Sequence, residues 1–322
     1  MNLKKFILIN NFGIIMGNMS FKDITTMKVG GRIKELFYPN SIENLLQVII
    51  YLNKKNKKYK IIGNGSNIIA SDYMFKNVVI SGKHLVKDII FKEDYFIVSA
   101  FEDLRKVNVN LIQKDISTFI NLSGIPATIG GALYMNAGAF KSNISDNLLW
   151  VECIYENKLI RLFKEDLEFG YRTSIFKNNK YIIVNAAFRI IYENNLILKY
   201  NEINNKRKEI HPLNFPNSGS IFKNTDNVKA YKIIQQIGLV DYMIGDATFS
   251  NKHANFIINK GNAKAKDIYK LIILAKKRAY VFEKIILEEE VILLNFLSYP
   301  IFKITFKKLK WGFTRYFKYC II

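Results

Sequence analysis

A short glycine-containing loop between two apolar runs constrains the fold of this chain more than any other feature. It follows the apolar run 59–62, precedes the run 68–70, and reads Gly63, Asn64, Gly65, Ser66 and Asn67. This pattern predicts a strand, a tight turn and a second extended segment. The loop is neither a Rossmann fingerprint nor a P-loop, because no helix pattern follows, the six-position glycine spacing is absent and no lysine closes it. Its amides and the Ser66 hydroxyl can form an anion-binding nest, although a plain tight turn also explains the sequence.

The segment 123–139 is rich in glycine and alanine, so few side chains cover its backbone. Such a backbone can approach a flat or charged group closely, and a diphosphate and an isoalloxazine ring both fit that description. A surface of small residues that packs against a helix is the alternative. The candidate cofactor-binding positions in this segment are Gly124, Ile125, Pro126, Thr128, Gly130, Gly131, Asn136, Ala137 and Gly138.

Arg172 lies in the segment 169–177 among aromatic and apolar residues, with Tyr171 directly before it. A guanidinium in such surroundings needs a carboxylate or phosphate partner, and its planar fork suits a two-pronged contact. The sequence therefore leaves two interpretations open. Arg172 either forms a structural ion pair or binds an anionic ligand.

Ser220 follows a glycine at a predicted turn that leads into the apolar pair 221–222. The chain contains no G-x-S-x-G elbow and no histidine in a triad pattern, so a serine nucleophile for acyl transfer is not expected here. Two interpretations remain for this hydroxyl. Ser220 is either a proton donor or a residue that caps a turn.

Glu290 belongs to a predicted strand over residues 286–294, where it shares a face with Ile292 and Leu294. A carboxylate on an apolar face is costly unless it is paired or protonated, so its pKa is expected to rise. A raised pKa is typical of an acid in a functional site. The alternative is a strand that begins at the surface with three solvated glutamates.

The charge balance is strongly basic, with 48 lysine and arginine residues against 27 aspartate and glutamate residues and a net charge of +21. The basic residues are spread along the chain, and lysine, isoleucine and asparagine recur throughout, as in proteins encoded by AT-rich genomes. No nucleic-acid partner is therefore expected. A diffuse positive field would instead attract anionic small molecules.

The cysteines Cys153 and Cys320 lie far apart, and the three histidines, His84, His211 and His253, are scattered. Neither pattern has the spacing of a disulfide framework or of a metal site, so no metal is expected. The cysteine usage suits a reducing cytoplasm. No apolar run reaches the length of a membrane span.

The hydrophobic pattern divides the chain into four segments. Residues 1–18 are predicted to be a short N-terminal extension, and residues 19–193 a first domain in two parts that divide near residue 85. The polar stretch 194–207 opens a second domain, 194–296. A basic aromatic tail, 297–322, follows, either as a segment that lies on an anionic membrane surface or as an extension without a specific partner.

Periodicity assigns the main elements. Apolar spacing predicts helices over residues 41–55 and 268–282, the second with Asn262 as its cap. Residues 88–192 are predicted to alternate short strands with glycine-rich turns and to end in a strong strand, 182–191.

Each motif alone is ambiguous, but their order is specific. Together they resemble the UDP-N-acetylenolpyruvoylglucosamine reductase family over roughly residues 19–296. The chain is more similar to the shorter, type II-like branch of this family, because it has no extra tyrosine-bearing loop between Arg172 and Ser220. The seven landmarks that carry the resemblance are 25–31, 63–67, 124–139, 171–177, 219–224, 250–256 and 287–291.

The resemblance implies an α+β protein with a vanillyl-alcohol-oxidase-like two-part FAD-binding domain and a C-terminal α+β substrate domain. It implies FAD and NADPH as cofactors. The implied substrate is UDP-N-acetylglucosamine enolpyruvate, which is reduced to UDP-N-acetylmuramate for peptidoglycan synthesis. A cytoplasmic monomer without a nucleic-acid partner or a transmembrane segment is expected.

The resemblance also implies roles for individual residues. The family's catalytic arginine falls on Arg172, its proton-donating serine on Ser220 and its catalytic glutamate on Glu290. Substrate contacts are expected at a further set of positions, Tyr171, Lys223 and Asn224.

Five positions depart from the family pattern without removing a catalytic group. They put the geometry of the loops, the stability and the rate in doubt. These residues are Ala127, Lys141, Ser218, Thr225 and Asp246.

Two other functions remain open at this point. One is a different flavoprotein oxidase on the same scaffold, which would have no use for Ser220 and Glu290 together. The other is a basic nucleic-acid-binding protein that has lost catalysis. The departures and the charge of +21 favour it, and the retention of Arg172, Ser220 and Glu290 opposes it.

Overall fold

The computed structural model describes residues 1–85, 88–177, 181–225 and 228–296. Its α-helices are α1 (Leu3–Ile9), α2 (Phe21–Ile24), α3 (Ile42–Lys54), α4 (Leu104–Ile112), α5 (Ile129–Met135), α6 (Leu196–Ile210), α7 (Ala230–Gln236) and α8 (Ala265–Glu283). Short 3-10 helices lie at Ile120–Leu122, Lys164–Leu167 and Ile175–Lys177.

The strands of the same residues are β1 (Gly13–Met16), β2 (Met19–Ser20), β3 (Arg32–Pro39), β4 (Tyr59–Ile62), β5 (Ile68–Ala70), β6 (Phe75–Ser81), β7 (Ile90–Phe91), β8 (Tyr95–Ser99), β9 (Gly138–Ala139), β10 (Ser142–Asn143), β11 (Leu148–Tyr155), β12 (Lys158–Phe163), β13 (Ile182–Arg189), β14 (Asn217–Ser220), β15 (Met243–Ile244), β16 (Ala247–Phe249), β17 (Phe256–Asn259) and β18 (Ile292–Leu294).

The first sheet runs in the order β1–β3–β6–β4, with β2 also paired to β3. Strands β3, β6 and β4 are parallel, so the loop 63–67 leaves the carboxyl end of β4. Helix α3 begins where the Ser41 hydroxyl accepts a hydrogen bond from the Asn44 amide. It buries a stripe of apolar residues at helical spacing, which confirms the helix predicted over 41–55. The stripe consists of Leu45, Val48, Ile49 and Leu52.

The first 18 residues belong to this sheet region, so the prediction of an extension that precedes the fold is wrong. Helix α1 buries Leu3 and Ile7 completely, and its first turn is capped by the side chain of Asn2. Asn10 ends the helix, and β1 then pairs antiparallel with β3. The asparagines that interrupt the apolar run are thus the end of a helix and a turn, and the apolar residues on either side are anchored by packing.

The second sheet is antiparallel, in the order β12–β11–β13–β8–β7. The strand β13 confirms the predicted strand 182–191, although it is shorter at its end. The region 88–192 also contains α4 and α5, which the prediction of strands and turns missed. Side chains cap the first turn of both helices, Asp103 for α4 and Thr128 for α5. Their apolar faces pack in the same core as Phe96 and Phe188.

The third sheet, β14–β17–β16–β15, is antiparallel and shares a core with α7 and α8. Helix α8 confirms the predicted C-terminal helix, but Asn262 does not cap it. The amides of Ala265 and Lys266 instead donate to the two carboxylate oxygens of Asp72, 193 and 194 residues away. The cap of this helix is therefore supplied by the first part of the chain.

Two further predictions about the C-terminal half need correction. The stretch 194–207, predicted as a polar boundary, lies mostly in α6, because Leu196 and Ile203 pack against Ile112 and Ile120. The predicted strand 286–294 is reduced to β18, which pairs in parallel with β5. Before β18, the chain forms only an isolated bridge between Phe222 and Glu289.

The tail 297–322 lies outside the described residues. Within the ranges that the structure describes, no helix is long and apolar enough to cross a membrane. The same ranges hold no cluster of histidine, cysteine and acidic residues suited to a metal ion.

Candidate active site

One large cavity of about 2240 Å³ brings the glycine-bearing segments together with Arg172, Ser220 and Glu290. Ligand cavities commonly measure about 300–1000 Å³, so this cavity has room for more than one small molecule. The predicted cofactor-binding residues that line it are Gly63, Asn64, Gly65, Ser66, Asn67, Gly124, Ile125, Pro126, Thr128, Gly130, Gly131, Ala137 and Gly138.

The loop 63–67 presents free backbone donors to the cavity. The amides of Asn64, Gly65 and Ser66 donate no hydrogen bond within the described part of the chain. Gly65 has φ +62°, a conformation that favours glycine. Consecutive free amides of this kind form a cradle for an anion such as a diphosphate.

Asn64 ties this loop to the second glycine-bearing segment. Its Nδ2 donates to Asp103 Oδ2 at 2.8 Å and to the Pro126 carbonyl at 3.3 Å. The two segments also touch directly, since a Cβ on Gly63 would lie 2.4 Å from Thr128 Oγ1. The Asp103 carboxylate is paired with Arg105, which helps to hold its pKa below the usual range despite burial. These contacts fix the position of the loop 63–67 relative to the segment 123–139, and the two are called the backbone cradles below.

The small-residue segment packs against a neighbouring residue and also lines the cavity. Gly130 packs against Ala100, where a Cβ would come within 3.0 Å of the Ala100 side chain and carbonyl oxygen. Gly131 lies one residue further along α5 and lines the cavity. One glycine of α5 thus allows close packing, and the backbone of the next glycine is uncovered and faces the cavity.

Arg172 stands in a tight turn closed by two hydrogen bonds between the backbones of Gly170 and Thr173, at 3.2 and 3.3 Å. Its φ is +55°, which is uncommon for a residue that carries a Cβ. The guanidinium lies 5.0 Å from the centre of the Tyr171 ring. The turn directs the guanidinium toward the cavity instead of into solvent.

Three acceptors surround the Arg172 guanidinium. Its Nε donates to Glu290 Oε1 at 2.6 Å, and its Nη2 donates to the Gly138 carbonyl at 3.1 Å. A longer contact of 3.5 Å joins Nη1 to the Asn136 carbonyl. Arg172 therefore forms an ion pair, and that pair lines the cavity, while the binding of an anionic ligand stays a prediction.

Glu290 is the last of three consecutive glutamates, and each pairs with a different cation. Glu288 pairs with Lys223 at 3.2 Å, Glu289 with Lys276 at 2.8 Å and Glu290 with Arg172 at 2.6 Å. The three side chains are therefore not equivalent solvated groups, as the alternative interpretation supposed. Of the three, Glu290 alone lines the cavity.

Burial raises the pKa of the Glu290 carboxyl above its usual range, although Arg172, Lys177 and Lys223 oppose the rise. The direction expected from the sequence is confirmed, but the cause is tertiary. The carboxyl is desolvated by the walls of the cavity instead of by neighbours on one strand. A carboxyl in this state retains a proton to higher pH than a solvated one.

Ser220 ends β14 and lines the same cavity. Its hydroxyl makes no hydrogen bond among the residues that the structure describes. The preceding Gly219 has φ +76° and open space where a side chain would lie. The serine therefore does not serve as a turn cap, and its proton is available to a bound molecule.

Four predicted residues do not line the cavity but support it. Asn136 is buried, and its side chain donates to the Gly170 carbonyl at 2.9 Å, which braces the Arg172 turn. The Tyr171 hydroxyl accepts a hydrogen bond from the Asn224 amide at 3.2 Å. The Asn224 side chain in turn accepts from the Ala230 amide at the start of α7. Lys223 is held beside them by Glu288.

Sequence reasoning missed two contributors to the site from α6 and the segment after it. Arg207 and His211 both line the cavity, and the Nη2 of Arg207 donates to the Gly124 carbonyl at 3.4 Å. Burial lowers the pKa of Arg207, and burial followed by the charge of Arg207 lowers the pKa of His211 to about 4. The stretch resembles a polar boundary in sequence, which concealed both residues.

A second missed feature joins the cofactor loop to the acid. Asn67 Nδ2 donates to the Glu290 carbonyl at 3.0 Å, and the Ile292 amide donates to the Asn67 carbonyl at 2.8 Å. The parallel pairing of β5 with β18 continues this contact. No pattern in the sequence could indicate it, because the two segments lie more than 200 residues apart.

Comparison with known proteins gives a consistent result. Residues 211–294 match the family described as UDP-N-acetylenolpyruvoylglucosamine reductase, C-terminal domain, and residues 33–160 match the FAD binding domain family. The UDP-N-acetylenolpyruvoylglucosamine reductase of Caldicellulosiruptor saccharolyticus is 35% identical over 89% of this chain and 94% of its own length. That of Clostridium tetani is 38% identical over 82% of this chain and 88% of its own length.

A solved structure agrees with these relatives. The crystal structure of UDP-N-acetylenolpyruvylglucosamine reductase from Thermus caldophilus has a TM-score of 0.76 and 28% identity, and it covers 88% of this chain and 100% of the other. The predicted α+β class, with an FAD-binding domain and a C-terminal substrate domain, is confirmed. With matching landmarks, a shared fold and identity over most of its length, this chain belongs to the UDP-N-acetylenolpyruvoylglucosamine reductase family of FAD-dependent oxidoreductases.

Proposed function

We propose that this chain reduces UDP-N-acetylglucosamine enolpyruvate to UDP-N-acetylmuramate, with NADPH as the reductant and FAD as the hydride carrier, for peptidoglycan precursor synthesis. One observation carries the proposal. A paired arginine and glutamate, Arg172 and Glu290, line the same cavity as the unbonded hydroxyl of Ser220 and two backbone cradles. This set combines charge stabilisation, a proton source and room for a dinucleotide.

The residues present fit FAD. The free amides of Asn64, Gly65 and Ser66 suit its diphosphate, and the uncovered backbone of Gly131 and Gly138 suits the approach of a flat ring. FAD, when bound, supplies the group that accepts hydride from NADPH and delivers it to the substrate. The protein contributes the position of the reactants and the electrostatic field around them.

Arg172 and Glu290 stabilise the charge that develops during reduction. Hydride addition to the terminal carbon of an enolpyruvyl group leaves negative charge on the neighbouring carbon and its carboxylate. The Arg172 guanidinium is a strong donor for such a carboxylate, and burial raises the pKa of Glu290, so this carboxyl retains a proton to higher pH than a solvated glutamate. Removal of one donor of this kind typically costs about 3–4 kcal/mol of transition-state stabilisation.

Ser220 completes the reduction by donating its proton to the carbon that carries the charge. Its hydroxyl is not engaged by any of the described residues, so no bond has to break before the transfer. Glycine before it lets the chain approach the substrate closely at this point. The proton returns to Ser220 from solvent between turnovers.

NADPH and the nucleotide sugar are both anionic, and the net charge of +21 attracts both. We expect them to enter the same cavity in turn, and its volume of about 2240 Å³, above the range of about 300–1000 Å³ that is common for ligand cavities, leaves room beside FAD. A cytoplasmic monomer fits this role. Cys153 is free and buried, as expected in a reducing compartment.

The decisive experiment follows the visible spectrum of the purified protein without oxygen. A yellow protein should lose its colour with NADPH and regain it only when UDP-N-acetylglucosamine enolpyruvate is added. A yellow protein that ignores the sugar, or turns over steadily with oxygen, would identify a different flavoenzyme. A colourless protein that cannot bind FAD would overturn the proposal, and salt-sensitive nucleic-acid binding would then favour a non-enzymatic role.

A further inference from the structure

The backbone of Arg172 is held in an unusual conformation. Its φ of +55° lies in the left-handed region, which residues with a Cβ rarely adopt. The turn that contains it is closed by only two hydrogen bonds, between Gly170 and Thr173. Such a conformation persists only where the surrounding structure enforces it. Some contact outside the turn must therefore stabilise it.

The contact that reaches the Arg172 backbone itself comes from Lys177. The Lys177 Nζ donates to the Arg172 carbonyl at 2.6 Å. Two other bonds brace the neighbouring backbone, from Asn136 to the Gly170 carbonyl and from Ser174 to the Tyr134 carbonyl. The Thr173 amide of the same peptide donates to the Gly170 carbonyl within the turn, so among the described contacts the bond from Lys177 is the one that reaches this peptide from outside the turn.

Lys177 is placed at some electrostatic cost. It is part-buried and lines the cavity, and burial together with the charge of Lys223 lowers its pKa. It makes no ion pair within the described residues, and its hydrogen-bond partner there is a neutral carbonyl. A purely structural surface lysine would avoid this environment, because desolvation of an ammonium is unfavourable.

We propose that Lys177 is a positioning residue that clamps the Arg172 carbonyl, so that the Arg172 guanidinium stays against Glu290 at the cavity wall. Lys177 acts through Arg172 and does not itself react. The role rests on the proposed function for its catalytic consequence, but the clamp is a property of the fold that can be measured without turnover. The clamp maintains the distance of 2.6 Å between Arg172 Nε and Glu290 Oε1.

The test uses the FAD-loaded full chain with Lys177→Met, which keeps the length of the side chain and removes its donors, and Lys177→Arg, which keeps a cation. Lys177→Met should bleach with NADPH at close to the wild-type rate, whereas reoxidation by the nucleotide sugar should slow about 10- to 100-fold. Lys177→Arg should restore a substantial part of that loss. In an Arg172→Lys background, Lys177→Met should have little further effect, since residues that act as a unit are not additive.

Amide hydrogen exchange of the 170–174 segment supplies the readout that does not depend on activity. Lys177→Met should speed exchange in this segment, and Lys177→Arg should slow it again. Unchanged exchange in Lys177→Met, or additive effects of Lys177→Met and Arg172→Lys, would overturn the inference. A wild-type protein that binds FAD but ignores the sugar would overturn the proposed function, while the exchange result would still decide the clamp. Lys177→Leu, which also removes the donors, replaces the methionine variant if that variant does not fold.

Discussion

The Nε of Arg172 lies 2.6 Å from Oε1 of Glu290, although 118 residues separate the two in sequence. Each side chain is 17% exposed to solvent, so the pair is largely but not wholly desolvated. The arginine comes from a strained turn beside α5, and the glutamate comes from the segment that returns to pair with β5. Their contact joins the two halves of the candidate active site.

Glu290→Gln should impair reduction of the substrate more than reduction of the flavin. The amide can still accept a hydrogen bond from Arg172, but it cannot act as an acid, so we expect reoxidation by the nucleotide sugar to slow about 100- to 1000-fold. Anaerobic stopped-flow absorbance separates the two half-reactions. Glu288→Gln is the matched control, because this glutamate is mostly exposed and does not line the cavity, so its replacement should cost far less than that of Glu290. Equal loss in both variants would contradict a special role for Glu290.

Ser220→Ala should leave bleaching by NADPH intact and abolish most of the recovery of colour with the sugar, because only the proton donor is removed. Ser71→Ala is the control. The Ser71 hydroxyl is also buried and has no partner among the described residues, but it does not line the cavity, so its removal should leave activity unchanged and stability equal or about 1 kcal/mol higher. If both half-reactions of Ser220→Ala survive at the normal rate, Ser220 is not the donor.

Lys276→Met should destabilise the protein without changing the flavin spectrum. Lys276 Nζ donates to both carboxylate oxygens of Glu289, at 2.8 and 2.9 Å, and holds the segment before β18 against α8. The pair is partly exposed, so we expect a loss of about 1–2 kcal/mol in the free energy of unfolding. Urea denaturation measures it, and a double-mutant cycle with Glu289→Gln should recover most of the effect as coupling. Additive losses would indicate that the pair contributes little.

Deletion of residues 1–16 should destabilise the protein severely. The deletion removes Leu3 and Ile7, both fully buried, and the strand that pairs with β3. Loss of a buried aliphatic side chain costs about 2–5 kcal/mol, so the two together approach the whole stability of an ordinary domain. Thermal unfolding monitored by flavin release tests this expectation. A truncated protein with the wild-type melting temperature would restore the interpretation of these residues as a dispensable extension.

His211 should make stability depend on acid pH. Its pKa is lowered from 6.5 to about 4, first by burial and then by Arg207, so the unfolded chain binds more protons than the folded one in this window. Stability is therefore complete above about 6.5 and is lost as the pH falls toward 4. Because the side chain is not fully buried, we expect a loss of about 1–2 kcal/mol.

The variant His211→Phe tests the assignment, since phenylalanine can keep the stacking on Phe256 at 5.0 Å. Its unfolding free energy, measured with urea at about pH 7 and about pH 5, should fall less on acidification than that of the wild type. The pKa of His253 is also lowered by burial, so a smaller dependence should remain. An unchanged dependence in His211→Phe would assign the effect to other groups.

Elements governed by local chemistry could be predicted from the sequence. The glycines of the loop 63–67 indicate a tight turn because few other residues adopt its torsions. The helices α3 and α8 could be predicted from their apolar spacing, since that spacing sets which face is buried. The family, the α+β class and the candidate residues Arg172, Ser220 and Glu290 also emerged from the ordered motifs.

Contacts between distant segments could not be predicted in this way. The sequence contains no sign that Asp72 caps α8, that Asn67 bonds to the Glu290 carbonyl or that Lys177 reaches the Arg172 carbonyl. It also suggests a dispensable N-terminus, whereas packing makes Leu3 part of the core. Local torsions and periodicity depend on residue type and spacing, which the sequence states directly. Desolvation and pairing depend on which surfaces meet, and only the tertiary structure decides which surfaces meet. The raised pKa of Glu290 and its ion pair with Arg172 both arise in this way.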